Sequence, residues 1–93
     1  KPFPREEQYG LTMQMRRAAV SVTSNIVEGC ARRSEADYLH FLDMAFGSLR
    51  ELQYQASLAG RLGYFQPGSY EPLETKCIET SKVLAALIRS LRT

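Results

Sequence analysis

The chain has 93 residues, 44% of them hydrophobic and 24% charged, which is the make-up of one ordinary globular domain with a single core. No run of about 18 apolar residues exists, which excludes a membrane-spanning helix. The formal net charge of +2 is too small by itself to require a nucleic-acid partner. Its distribution is uneven. Lys1, Arg5, Arg16, Arg17, Arg32 and Arg33 outweigh Glu6, Glu7 and Glu28, whereas positions 34–63 lean acidic through Glu35, Asp37, Asp43 and Glu51. Arginine supplies most of the positive charge, and its planar fork pairs with phosphates and carboxylates and stacks on rings. Cys30 and Cys77 lack further cysteines or histidines at ligand spacing, and no secretory pattern opens the sequence. They read as free thiols in a reducing cytoplasm, the expected location.

In chain order the first element is a helix over about 6–30, following Pro2-Phe3-Pro4. Leu11, Met15, Ala18, Ala19, Val22 and Ile26 recur every three or four residues and share one face. Tyr9, Met13, Val20 and Val27 fall on the opposite face. A helix that is apolar on two faces needs two neighbours. The second face meets another helix or subunit, or else this helix is the central one. A second helix covers about 35–62. It starts at Ser34-Glu35-Ala36-Asp37, a capping box with Asp in place of Glu, and ends where Gly63 can adopt the left-handed C′ conformation. Its stripe is regular: Tyr38, Leu42, Ala45, Leu49, Leu52, Ala56 and Ala59. Gln66-Pro67-Gly68-Ser69 marks a turn. The third helix, about 70–91, has a seam of Leu73, Cys77, Thr80, Leu84, Leu87 and Leu91, flanked by Ile78 and Ile88. Short connections between long helices make an all-α, antiparallel up-and-down bundle, one domain over 1–93.

Little in the sequence suits catalysis or a cofactor. His40 is the sole histidine, and Asp37-x-x-His40 supplies only half of the paired Glu-x-x-His motifs of a di-iron bundle. Ser21 and Ser24 have no histidine placed to activate them, and no phosphate-cradling glycine loop is present. The expectation is a non-enzymatic binding module without metal or cofactor. Asn25 and Glu28 flank the core face of the first helix and read as a polar network fixing register, with Arg17 on Glu28's side. Arg32 and Arg33, near that helix's C-terminus, suit its dipole.

Tyr9-Gly10-Leu11-Thr12, RRAAVSVTSNIVEG at 16–29, RRS at 32–34, FL at 41–42, GSLREL at 47–52 and LGY at 62–64 resemble the bundle proteins encoded in 23S ribosomal RNA intervening sequences. The resemblance extends to the accessory variability determinant proteins of diversity-generating retroelements. It implies four antiparallel helices in a ring-like oligomer, pentameric in relatives, with a further helix before Phe3-Pro4 that this sequence lacks. Without that helix, part of the Leu42, Leu49 and Leu52 stripe should stay open. The resemblance also implies nucleic-acid binding, and the residues carried over by motif position are Arg16, Arg17, Asn25, Glu28, Arg32 and Arg33; the four arginines are the expected contacts, and the second apolar face of the first helix, Tyr9, Met13, Val20 and Val27, is the expected oligomer interface. The expected function is RNA or DNA binding by a bacterial homo-oligomer. The alternative is a scaffold that grips a protein partner without touching nucleic acid.

Overall fold

Three helices make up the computed structural model, which describes residues 5–92: α1 (Arg5–Cys30), α2 (Glu35–Arg61) and α3 (Tyr70–Arg92). The Phe3-Pro4 segment lies outside the described residues. The described residues contain no strand. The boundaries follow local chemistry. The Ser34 side chain accepts a hydrogen bond from the Asp37 amide at 3.0 Å, capping α2. At the other end of α2, Gly63 takes φ +77°, and the Tyr64 and Gly63 amides donate to the carbonyls of Ala59 and Gly60 at 3.0 and 3.1 Å. That pair of bonds is a Schellman motif, as the Gly63-Tyr64 pair suggests. Gly68, at φ +81°, follows Pro67, and the Ser69 amide donates to the Gln66 carbonyl at 3.0 Å, so a tight turn leads into α3.

The helices run antiparallel, and α2 lies between the other two. The backbones of α1 and α3 each pack on α2 and do not approach one another. The result is a flat layer of 51 × 22 × 14 Å. The alanines of α2 explain the arrangement, because Ala45, Ala56 and Ala59 are buried and let both neighbours lie close. Ala18 and Val22 of α1 and Cys77, Leu84 and Ile88 of α3 then converge over Leu42, Leu49 and Leu52.

Four expectations change. Leu42, Leu49 and Leu52 are 0%, 3% and 8% exposed, so three helices suffice to cover the stripe expected to stay open. Ala19, placed on the core stripe of α1, is exposed. The α3 seam is rotated: Ile88 is buried, while Thr80 and Leu87 are exposed. A 3.6-residue period fixes a stripe's direction only to within about one residue, and contact with α2 selects the rest. Finally, α1 is not the central helix, so its second apolar face is uncovered within the chain: Tyr9 is 68% exposed, Val20 and Val27 63% each.

Candidate nucleic-acid interface

The motif residues converge on the seam between α1 and α2. Arg17, Ser21 and Asn25 are spaced four apart on α1, so they stack along one flank, and Ser48, Glu51 and Gln55 do the same on α2. Ser21 Oγ and Ser48 Oγ share a hydrogen bond of 2.7 Å across the seam. The Asn25 side-chain amide donates to the Ser21 carbonyl at 2.8 Å and to Ser21 Oγ at 3.1 Å. A polar pair in an apolar seam holds register, since sliding either helix by a turn would break the one bond that crosses it and leave the Ser48 hydroxyl without Ser21.

Further along the seam, Gln14, Arg17, Ala18, Ser21, Glu51 and Gln55 line an open cleft of about 420 Å³. Gln55 is only 7% exposed, and its buried Oε1 has no hydrogen-bond partner. Neither Arg17 nor Glu51 forms an ion pair among the described residues. Sequence reasoning missed Gln55, Glu51 and Gln14. The only available signal was their shared flank, since Gln55 sits among Leu52, Ala56 and Ala59 and no apolar period marks it.

Glu28 departs from the expected network. Its carboxylate accepts from the Arg32 guanidinium at 2.7 Å, and both side chains are exposed. Arg17 lies on the same flank but three turns earlier, about 16 Å along the helix at 1.5 Å per residue, beyond contact. Arg32 also lies over the Phe41 ring, 4.8 Å from its centroid. Arg32 and Arg33 lie just past the end of α1, where the Arg32 amide donates to the Gly29 carbonyl at 3.1 Å, next to the negative end of its dipole. Arg33 is exposed and borders a cleft with Gly29, Cys30, Arg32, Glu35 and Tyr38. Arg16 faces another way, beside Arg5, Tyr9, Thr12 and Met13. About 20 Å of helix separates Arg16 and Arg17 from the Arg32 end, so the four arginines do not form one patch.

His40 is exposed and meets the edge of Phe41, with ring centroids 5.7 Å apart. Among the described residues, no group of three His, Cys, Asp or Glu side chains gathers as a metal site. Cys30 is exposed, whereas Cys77 is buried and burial pushes its thiol pKa up. No described helix is long and apolar enough to cross a membrane.

The model of the family described as 23S rRNA-intervening sequence protein matches residues 1–86. Comparison with curated proteins gives no match. With the α1 and GSLREL motifs meeting in one hydrogen-bonded seam and nearly the whole chain matched, this protein belongs to the 23S rRNA-intervening sequence protein family.

Proposed function

We propose that this chain is the subunit of a non-enzymatic homo-oligomer that binds RNA or DNA through Arg16, Arg17, Arg32 and Arg33. The observation that carries the reading is that Arg16, Arg17 and Arg33 make no ion pair among the described residues, which leaves three guanidinium groups available for phosphates. The family name, which links its members to intervening sequences of 23S rRNA, points the same way. Because the arginines of one chain are dispersed, symmetry must gather them, and the exposed Tyr9, Val20 and Val27 face supplies a surface for association. A pentamer is the assembly the resemblance implies. The cytoplasm is the compartment the reading places it in.

The test is filter binding of the protein to structured RNA and to duplex DNA across a salt series. Each phosphate contact on duplex DNA steepens log K against log salt by about 0.9. The combined Arg16→Ala, Arg32→Ala and Arg33→Ala variant should bind more weakly with a flatter slope, its oligomer unchanged. A second reading, a protein scaffold, draws on the small net charge of +2 and on Arg32 being occupied by Glu28 and Phe41. It takes over if the wild-type protein binds no nucleic acid at low salt.

A further inference from the structure

We infer that the outer face of the α2–α3 pair is a docking surface for single-stranded nucleic acid, an inference that rests on the nucleic-acid reading above and adds residues to it. Its centre is Tyr54, 64% exposed on a helix that buries its leucines and alanines on the other side. Arg50 stands one turn before it. On α3, Ile78, Lys82, Ala85 and Arg89 recur at spacings of three and four and form one stripe. The ion pair of Arg92 with Asp43, at 2.6 Å, fixes how the two helices meet. Arg50 follows Asp43 by seven residues and Ala85 precedes Arg92 by seven, which returns each helix to the side where that pair forms. With Asp43 against Arg92 and Gly60 against Tyr70, antiparallel packing brings Ile78 and Lys82 level with Tyr54 and Arg50.

The face is basic. Arg50, Lys82 and Arg89 are exposed and make no ion pair among the described residues, whereas Asp43 is held by Arg92. The Arg50 guanidinium rests 5.9 Å from the Phe46 ring centroid, which steadies it and leaves its N–H groups to donate. The other carboxylates mark the limits of the patch. Glu51 lines the cleft toward α1, and Glu79 projects about 100° around α3 from Ile78. Toward the turn, Glu74 accepts from the Tyr70 hydroxyl and Glu71 borders the same cleft as Arg61. From Ile78 to Arg89 the stripe runs about 16 Å, the length of a few nucleotides. An exposed ring among cations is how proteins hold single strands, with a base stacked on the ring and phosphates on the charges. A duplex keeps its bases stacked on one another and offers the ring nothing. Charge thus selects a polyanion, and Tyr54 selects one with open base faces.

The experiment follows labelled oligouridine and an RNA duplex of equal length by fluorescence anisotropy with the full chain across a salt series, with polyglutamate as competitor. Tyr54→Ala should weaken oligouridine binding about tenfold at an unchanged salt slope and leave duplex binding as it was, while Tyr54→Phe keeps wild-type affinity. Arg50→Ala combined with Arg89→Ala should flatten the slope by about 0.7 per lost contact. Circular dichroism and light scattering should not change, since these side chains are exposed. Wild-type oligouridine binding in Tyr54→Ala, equal loss for strand and duplex, a preference for polyglutamate, or dissociation of an oligomer by Tyr54→Ala would overturn the inference. Binding lost only in the Arg16/Arg32/Arg33 variant leaves the proposed function standing and overturns this face. Binding lost in Tyr54→Ala but kept in that variant supports this face and removes those arginines from the reading. A wild-type protein that binds no nucleic acid removes both.

Discussion

Gly29 and Gly47 both sit inside helices, yet a methyl group would meet opposite surroundings at the two positions. At Gly29 an added Cβ would lie 3.0 Å from Phe41 Cβ and 3.1 Å from Tyr38 Cδ1, where α2 begins to pack on α1. At Gly47 nothing stands within 4 Å. Gly29→Ala should therefore lower stability by about 1–2 kcal/mol, because Phe41 Cβ can move only with its helix. Gly47→Ala should raise stability by up to about 1 kcal/mol, since alanine is the better helix former and no contact opposes it. Urea unfolding of both variants checks the pair, and equal signs would contradict the packing described.

At the scale of elements, the ends of α2 matter most, because both neighbouring helices are positioned against it. Ser34 holds its N-terminus through the bond to the Asp37 amide. Ser34→Ala should cost about 1 kcal/mol and Ser34→Asp close to nothing, as a carboxylate caps equally well and favours the positive end of the dipole. Thermal unfolding of the two variants separates this cap from a merely tolerated serine. At the far end, Tyr70 packs against Gly60, where an added Cβ would come within 3.3 Å of its ring. The turn thus brings α3 back across α2, and Arg92 closes the same pair by donating to Asp43 at 2.6 Å.

For the whole molecule, a flat three-helix layer buries one continuous core and leaves apolar surface at its edge. Tyr9, Val20 and Val27 form that surface on α1. If it joins copies of the chain, light scattering should report an oligomer of the wild-type protein. Val20→Glu should then dissociate it without loss of helical circular dichroism, since Val20 is 63% exposed within one chain and contributes little to its core. A wild-type monomer would remove the assembly on which the proposed function depends.

Periodicity and capping are local, and so the number, order and limits of the helices were legible in the sequence. The Leu42-to-Ala59 stripe, the Ser34 cap, the Gly63 terminus and the Pro67-Gly68 turn each depend on residues within about a turn of one another. So was the family, through ordered motifs on α1 and α2. Which helix is central was not legible, since α1 and α2 both carry long apolar faces and only their mutual packing puts α2 in the middle. The polar seam was half visible. Asn25 stood out beside the core, but its partner Ser21 meets Ser48 only because antiparallel packing brings positions 27 residues apart within 2.7 Å. The pairing of Arg17 with Glu28 failed for the complementary reason, because a shared flank of a wheel says nothing about distance along the axis. Gln55 needed the fold most. Its burial and its orphaned oxygen arise where two helices meet, and no pattern within one helix encodes that.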